Sequence, residues 1–446
     1  MARRLFPLLC AGMLAAAPAG AADTAAAACQ ARSAALIEAL AQGDYAHAGK
    51  DFSAAVAQAL DAGRLRQVWE QLQLQAGRYQ SHGAAEWRAV AGRELAVTRV
   101  NFAGSALDML VGCGADGRIE TFRFVPAERA EAAPAAPLAL PAGAQERPLQ
   151  VASPLGPLPG VLTLPAGRGP FPAVLLVAGS GPQDRDETVG PNKPFRDLAV
   201  GLAQAGIATL RYDKRSYAYG MRTATDSRVT VDDEVTDDAL AALKLLAAQP
   251  GVDARRVFVL GHSLGGLMAP RIVQRAPRAA GAILLAAPER FGIATLERQV
   301  RYIGQSGGAP QVALDAQLKS LAAARQAIDA ADPAQPPAGR FAHAPASYWL
   351  SLRDYDAVET AKSLRAPLLV LQGEADYQVI PAEGLERWRA AFAGDPRVRV
   401  RAYPGLSHLF MPAGRPPGPG DLERPGHVDP AVIRDIAAWV AAQPPR

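Results

Sequence analysis

Short apolar runs alternate with segments of helical spacing through the C-terminal two thirds of the chain. The runs cover residues 173–178, 208–212, 257–261, 282–286 and 367–373. Continuous apolar runs of this length predict strands that are buried on both faces of a sheet. Because helical segments separate the runs, we expect an α/β fold in which a mostly parallel sheet carries helices on both faces.

Two of the intervening segments carry additional signals. Residues 231–248 are predicted to form a helix with Thr230 as N-cap, because Asp233 three residues later completes a capping box. The segment from Glu289 to Arg365 is too long for an ordinary connection between strands. We therefore predict an inserted helical cap over about residues 290–365.

The N-terminal part of the chain has a different pattern. Apolar residues recur at helical spacing over about 34–74, and an alternation of apolar and polar residues follows. The alternating stretches cover 92–102, 107–111 and 119–125. Helices followed by antiparallel strands predict a small α+β domain over residues 23–125. Residues 126–147 are rich in Ala and Pro without apolar periodicity, so we interpret them as a linker to a second domain, 148–446.

The first 22 residues are predicted to be a secretory signal peptide. Arg3 and Arg4 precede an apolar stretch of 13 residues, and the small residues that follow favour cleavage after Ala21 or, as the near alternative, after Ala22. This stretch is too short to span a bilayer, and no later segment has 18 uninterrupted apolar residues. We therefore expect an exported protein, periplasmic or secreted, without a transmembrane segment in the mature chain.

Export would leave two cysteines, Cys29 and Cys113, both in the predicted N-terminal domain. In an oxidising compartment they could form a disulfide that staples this domain. They could equally be two isolated small core residues, because the separation of their Cα atoms is not readable from sequence.

Composition excludes several classes of function. The chain has 446 residues, of which 49% are hydrophobic and 20% charged, so it can bury a sizeable core. A net charge of +4 is too small to indicate nucleic acid or an anionic membrane as partner. The six histidines include no pair three or four residues apart, and no C-x-x-C is present. We therefore expect neither a metal site nor any other cofactor.

The chemistry is concentrated in the sequence Gly261-His-Ser263-Leu264-Gly265, which follows an apolar strand and precedes a helix-compatible run. This context is typical of a nucleophile elbow, the strained turn that lifts a serine above the edge of a sheet. Gly261 and Gly265 would keep space clear around the turn. The backbone N–H of Leu264 would donate to an oxyanion.

Such a serine needs a base and an acid downstream, in the order acid and then histidine. Asp376 follows a buried strand, and His408 lies in a loop after the next apolar segment. We predict that Asp376 orients His408, which would accept the proton of Ser263. Glu374 is the alternative acid and His427 the alternative base, whereas the histidine that precedes the serine is expected to pack against the sheet.

A second oxyanion donor is expected in the loop after the strand that ends near residue 178. The N–H of Ser180 is the first candidate and that of Gly181 the second. Several charged residues flank this sheet edge: Asp184, Arg185, Asp186, Arg211, Asp213, Lys214, Arg215, Asp232, Asp233 and Glu234. We expect the first three to order the loop by ion pairs, with substrate contact as the alternative. The next four would support the pocket, and the last three would sit in a helical first turn, where the dipole favours acids.

Four motifs together resemble bacterial EstD-like carboxylesterases of the α/β-hydrolase superfamily. They are Ala-Gly-Ser-Gly-Pro-Gln-Asp-Arg-Asp at 178–186, Arg-Tyr-Asp-Lys-Arg at 211–215, Gly-His-Ser-Leu-Gly-Gly at 261–266 and Tyr-Pro-Gly-Leu-Ser-His-Leu-Phe at 403–410. The resemblance spans about residues 148–442 and implies serine esterase activity on short acyl esters. Ser216 and Ser407 depart from the usual Gly and Asn, outside the predicted triad.

The N-terminal domain is similar to the DUF3887-type domain that is often fused ahead of such hydrolases. The similar positions are Phe52, Leu65, Trp69, Leu72 and Gly77-Arg-Tyr79. This weaker resemblance implies an NTF2-like α+β cone.

The sequence therefore predicts an exported serine hydrolase that cleaves small carboxylic esters through an acyl-enzyme, with Ser263, Asp376 and His408 as triad. The alternative enzymatic activity is that of a peptidase or an acyltransferase that uses the same triad. A binding protein with a silent hydrolase domain is the alternative of another class.

Overall fold

The computed structural model describes residues 19–90, 93–103, 106–126, 136–306 and 311–446. Most of the predicted signal peptide and residues 127–135 of the predicted linker lie outside the described residues. The chain divides into two compact units, the first comprising residues 1–129 and 308–313 and the second residues 130–307 and 314–446.

The first unit combines four described helices with a sheet of four described strands. The helices are α1 (Ala19–Gln42), α2 (Tyr45–Ala48), α3 (Ala54–Ala59) and α4 (Ala62–Ala76), and the strands are β1 (Tyr79–Val90), β2 (Arg93–Phe102), β3 (Ala106–Cys113) and β4 (Ile119–Pro126). The strands pair antiparallel in chain order. Ile37 of α1 and Trp69 of α4 are buried against Val100 and Met109 of the sheet. The expected small α+β domain is present.

A disulfide joins Cys29 of α1 to Cys113 at the end of β3, with a Cα–Cα distance of 5.9 Å. The sequence left this pairing open. The bridge closes a separation of 84 residues and ties the longest helix of the first unit to its sheet. By the chain-entropy argument, a cross-link that closes a loop of this length stabilises the unit by about 4.5 kcal/mol, because it restricts the unfolded chain.

The second unit is built on a sheet of eight described strands. They are β5 (Gln145–Val151), β6 (Leu158–Leu164), β7 (Phe171–Val177), β8 (Ala208–Tyr212), β9 (Val252–His262), β10 (Ala282–Leu285), β13 (Leu368–Gly373) and β14 (Val398–Tyr403), while β11 (Arg340–Phe341) and β12 (Ala344–Pro345) form a separate hairpin. The spatial order is β14-β13-β10-β9-β7-β8-β6-β5. Antiparallel pairs occur at β5–β6 and β6–β8, and the remaining pairs are parallel.

Helices cover both faces of this sheet. The helices described after β7 are α5 (Pro194–Gln204), α6 (Arg215–Ala218), α7 (Gly220–Thr225), α8 (Asp237–Ala247), α9 (Leu264–Arg275), α10 (Ile293–Ser306), α11 (Gln311–Asp329), α12 (Ala346–Arg353), α13 (Ala357–Lys362), α14 (Pro381–Ala391), α15 (Gly420–Glu423) and α16 (Pro430–Ala442). Within β7, Val174 and Leu176 pack with residues of α5 and α16, whereas Leu175 and Val177 pack with α8 and α9. This alternation explains the continuous apolar run, because both faces of the strand are buried. The predicted fold class is confirmed.

The chain between β10 and β13 contains α10 to α13 and the β11–β12 hairpin, and we refer to this segment as the insertion. Residues 307–310 of the predicted cap lie outside the described part of the chain. The predicted capping box forms, because the Thr230 N–H donates to Asp233 at 2.8 Å and the Asp233 N–H donates to the Thr230 hydroxyl at 3.2 Å. A π-helical turn, Asp232–Thr236, then leads into α8. No helix within the described residues is long and apolar enough to cross a bilayer.

Candidate active site

Ser263 stands between the end of β9 and the first residue of α9, in a strained backbone conformation with φ of +52°. Non-glycine residues rarely adopt such angles, and they persist where surrounding structure imposes them. A Cβ on Gly261 would overlap the Gly265 carbonyl, and one on Gly265 would overlap the Val177 carbonyl. These contacts have the geometry of a nucleophile elbow, with the serine at the N-terminus of a helix.

Asp376 lies in the turn after β13 and is 4% exposed. Its Oδ1 accepts the backbone N–H groups of Gln378 at 2.8 Å and Val379 at 3.0 Å. Its Oδ2 accepts the His408 Nδ1–H at 2.7 Å and the Gln372 amide at 2.9 Å. Four donors therefore fix the carboxylate, and one of them is the histidine that the sequence paired with it.

The structure brings Asp376 and His408 together and places the two alternatives elsewhere. His408 is 5% exposed and lies in the loop after β14. Glu374 has an exposed side chain. His427 contacts Asp197 at 3.0 Å rather than the serine turn.

His262, which precedes the serine, does more than pack against the sheet. Its Nδ1 lies 3.0 Å from Glu187 Oε1, and its Nε2 lies 2.9 Å from the backbone carbonyl oxygen of His408. Carbonyl and carboxylate oxygens accept hydrogen bonds, so this arrangement favours a ring that carries a hydrogen on both nitrogens. Sequence reasoning missed this role, because Glu187 and His408 are 75 and 146 residues away along the chain.

The electrostatics agree with a charged His262 ring. Burial alone would lower its pKa, but the carboxylate of Glu187 and the hydrogen bonds outweigh burial and raise the pKa above the usual value for histidine. The rings of His262 and His408 lie 4.7 Å apart between centroids. A buried ion pair thus supports the loop that carries His408.

The loop after β7 passes directly beside the serine. A Cβ on Gly179 would lie 3.2 Å from the Ser263 Cβ, so any larger residue would crowd the nucleophile. The Gly179 N–H donates to Glu187 Oε1 at 2.6 Å, which links this loop to the His262 ion pair. Ser180 and Gly181 follow, both exposed, and Gly181 has a φ of +84° that favours glycine.

The charged residues that flank this loop order it. Asp184 accepts the N–H groups of Asp186 and Thr188. Arg185 forms two side-chain hydrogen bonds with Asp213, and Asp186 pairs with Arg211 at 2.9 Å.

Glu234 lies in the first helical turn, as expected, but its side chain has a further role. Its side chain points inward, 3.3 Å from Lys214 Nζ and 2.9 Å from the Tyr348 hydroxyl. Burial would raise the pKa of Glu234, but the charge of Lys214 and the hydrogen bond from Tyr348 hold it below the usual range. Neighbouring Asp232 pairs with Arg271 at 2.7 Å. Sequence reasoning anticipated the position of Glu234 in the first turn but not its buried ion pair with Lys214, which lies 20 residues earlier along the chain.

Comparisons with known proteins agree with this geometry. Residues 193–412 match the family Hydrolase_4, described as Serine aminopeptidase, S33. Esterase EstD from Thermotoga maritima is 38% identical over 283 residues, which cover 64% of this chain and 65% of that protein. An uncharacterized protein of Mycobacterium tuberculosis is 27% identical over 246 residues, 54% of this chain and 64% of that one. The chain thus spans just under two thirds of the length of these relatives.

Among solved structures the likeness is weaker. Est1E from Butyrivibrio proteoclasticus aligns with a TM-score of 0.43 and 14% identity, over 66% of this chain and 99% of that one. The sheet order and the strained serine turn give the second unit an α/β-hydrolase fold, and residues 193–412 within it are similar to the Hydrolase_4 family.

Proposed function

We propose that the protein is an exported serine esterase that hydrolyses small carboxylic esters through an acyl-enzyme. The observation that carries this proposal is the buried 2.7 Å contact between His408 Nδ1 and Asp376 Oδ2, on the same sheet edge as the strained Ser263. The contact leaves His408 Nε2 as the nitrogen that would serve the serine. The similarity to an esterase, EstD, supports the ester as substrate class.

In the proposed first half-reaction, Ser263 Oγ attacks the ester carbonyl carbon while His408 Nε2 accepts its proton. The carbonyl electron pair moves onto oxygen, and the N–H groups of Leu264 and Ser180, with Gly181 as the alternative to Ser180, stabilise the oxyanion. Collapse of this intermediate breaks the bond to the alcohol oxygen. His408 protonates the departing alcohol, and an acyl group remains on the serine.

The second half-reaction repeats the sequence with water. His408 accepts a proton from the water as its oxygen attacks the acyl carbon. When the new intermediate collapses, the serine oxygen leaves and recovers the proton from His408. Asp376 stays ionised throughout, holding the ring and stabilising the imidazolium that forms twice.

Hydrolysis of a series of p-nitrophenyl esters from acetate to laurate tests this proposal, together with labelling by a fluorophosphonate. We expect turnover of the short esters and labelling of one serine, both lost in Ser263→Ala. Ser363→Ala, at an exposed serine of the same unit, is the matched control and should behave like the unchanged protein. Turnover that survives in Ser263→Ala would contradict the assignment of the nucleophile.

A peptidase is the second candidate, because the matched family is described as a serine aminopeptidase. Amide hydrolysis requires protonation of a leaving nitrogen, whereas ester hydrolysis releases an alcohol oxygen. Peptidase and esterase activity therefore place different demands on the histidine that donates the proton. Aminoacyl p-nitroanilides distinguish them from p-nitrophenyl esters. A higher kcat/KM for the anilides would transfer the proposal to peptide bonds.

Export and the identity of the first unit are parts of the same proposal. The Cys29–Cys113 disulfide supports an oxidising compartment, since such bonds are rare in reducing ones. The antiparallel sheet with packed helices is compatible with the proposed DUF3887-type domain. N-terminal sequencing of protein recovered from the periplasm or medium should begin at Ala22 or Asp23. An intact N-terminus in the cytosolic fraction would contradict export.

A further inference from the structure

The peptide groups on either side of Gly179 are each held by a buried charged side chain. Glu187 Oε1 accepts the Gly179 N–H at 2.6 Å, and Lys214 Nζ donates to the Gly179 carbonyl oxygen at 2.8 Å. The carbonyl belongs to the peptide group that Gly179 shares with Ser180. Lys214 therefore acts directly on the peptide whose N–H is the first candidate for the second oxyanion donor.

Because a peptide group is rigid, the contact of Lys214 with its carbonyl oxygen also determines the direction of its N–H. The bond between Gly179 and Ser180 is trans, so its C=O and N–H point to opposite sides. A cation that fixes the carbonyl oxygen on one side thereby fixes the N–H on the other. The carbonyl oxygen of Ser180 is held as well, by the Gln183 amide at 3.1 Å, so the peptide groups before and after Ser180 are both restrained.

Charge neutralisation alone does not account for Lys214. Its side chain is 4% exposed, and Glu234, 3.3 Å away, already supplies the counter-charge that a buried ammonium needs. The shorter contact is the one to the carbonyl. A cation next to a peptide oxygen also polarises the peptide, which strengthens the N–H as a donor.

Lys214 is in turn connected to the insertion. Glu234 Oε2 accepts the hydroxyl of Tyr348, which belongs to α12. Ser351 of the same helix accepts the Val231 N–H at 3.0 Å, close to the turn that carries Glu234. A continuous chain of polar contacts thus runs from α12 through Glu234 and Lys214 to the Gly179 peptide.

We propose that Lys214 is a positioning residue that aims the Ser180 N–H at the oxyanion, and that Glu234 and Tyr348 hold Lys214 in place from the side of the insertion. This inference rests on the proposed esterase function. Lys214 touches neither the substrate nor the reacting atoms; it acts through the Gly179–Ser180 peptide. Because the oxyanion forms only in the transition state, the effect should fall on kcat rather than KM.

The central test compares Lys214→Met, which keeps the length of the side chain without its charge, with the unchanged full-length protein. With p-nitrophenyl acetate we expect kcat to fall about 10²-fold at a similar KM, the size of effect that a displaced catalytic group or a lost oxyanion donor produces. A trifluoromethyl ketone, which forms an oxyanion on the serine, should bind about 10²-fold more weakly. The affinity for the product carboxylate should change little.

A double variant separates positioning from charge balance. Lys214→Met alone leaves Glu234 buried without its cation and can fail to fold, whereas Lys214→Met/Glu234→Gln removes both charges. If Lys214 positions the peptide, the double variant folds with a cooperative thermal transition and keeps the low kcat. If Lys214 only neutralises Glu234, the double variant recovers the original kcat, and the proposal is overturned. A double variant that does not fold also overturns the proposal, because Lys214 would then be required for folding rather than for the direction of one peptide group.

Two further variants sharpen the result. Lys362→Met removes an exposed lysine that pairs with Glu359 and should leave kcat unchanged. Tyr348→Phe should lower kcat by a smaller factor than Lys214→Met, because the Lys214 ammonium would still be paired with Glu234. If the unchanged protein neither hydrolyses esters nor reacts with the fluorophosphonate, the esterase proposal fails and the Lys214 role fails with it. If the unchanged protein is active but Lys214→Met is equally active, the Lys214 role alone fails.

Discussion

His262 Nε2 donates a hydrogen bond to the backbone carbonyl of His408 at 2.9 Å, so the residue before the nucleophile supports the residue proposed to activate it. The other ring nitrogen of His262 is committed to Glu187. Because Glu187 also accepts the Gly179 N–H, one carboxylate joins the loop after β7, the serine turn and the histidine loop. The three loops that must cooperate in acyl transfer therefore share one buried ion pair.

This relationship predicts a pH-dependent loss of stability in Glu187→Gln. The pKa of His262 is raised in the folded protein, so the pair contributes fully below the unfolded pKa of about 6.5 and fades as pH rises through the folded value. We expect Glu187→Gln to have a free energy of unfolding about 1–3 kcal/mol below that of the unchanged protein at pH 6. This difference should become smaller at alkaline pH. Denaturant unfolding across pH measures it.

Glu359→Gln is the matched control, since Glu359 pairs with Lys362 at the surface. If the loss of unfolding free energy in Glu187→Gln instead increased toward alkaline pH, a charged His262 would be contradicted.

The assignment of Asp376 as the acid of the proposed triad predicts that Asp376 and the nearby Glu374 respond differently to replacement by their amides. Asp376→Asn keeps the shape of the side chain but removes the acceptor that selects the His408 tautomer. We expect kcat to fall about 10⁴-fold with little change in KM. Glu374→Gln, two residues earlier and exposed, should retain full activity. Steady-state kinetics on p-nitrophenyl acetate decide the matter, and a large loss in Glu374→Gln instead would reverse the assignment.

The serine turn predicts that Gly261 tolerates no side chain. A methyl group there meets the Gly265 carbonyl, so Gly261→Ala must displace the start of α9. We expect a loss of about 1–3 kcal/mol in unfolding free energy and a large loss of fluorophosphonate labelling. Gly220→Ala, at a glycine with no heavy atom within 4 Å of the added Cβ, serves as control. Equal labelling rates in the two variants would argue against a strained turn.

The disulfide predicts a redox-dependent stability of the first unit. Cys29→Ala/Cys113→Ala should lower its unfolding free energy by about 2–5 kcal/mol. Reductant should destabilise the unchanged protein by a similar amount and leave the double variant unaffected. Peptide mapping without reduction should recover the cross-linked pair, and two unlinked cysteine peptides would contradict the bridge.

Much of the second unit could be predicted from local pattern. The strands β7, β8, β10 and β13 and the second half of β9, residues 257–262, are largely buried on both faces, so each produces a mainly apolar run. The strand β5 escaped this criterion, because it lies at the sheet edge, is largely exposed and begins at Gln145 inside the predicted linker. The strand β14, at the opposite edge, alternates intermediate and exposed residues and escaped for the same reason.

The site divides in a similar way. Ser263, Asp376 and His408 could be proposed from sequence because each follows a strand in a recognisable turn. Glu187 could not be proposed, and Lys214 could be expected only to support the pocket, because their contacts are with partners 75 and 35 residues distant along the chain. The effect of a buried charge depends on the group that it contacts, and the packing of the folded chain determines which group that is.

The hydroxyl of Tyr348 has a consequence for engineering. Insertions of this kind are natural targets for exchange between enzymes, because they can be grafted to alter which substrates enter. Here a graft that lacks a hydroxyl donor at the position of Tyr348 would leave one oxygen of the buried Glu234 carboxylate without its hydrogen bond. A chimaera of this protein must therefore retain a hydroxyl donor at that position if the exchanged segment is to change selectivity without slowing the proposed reaction.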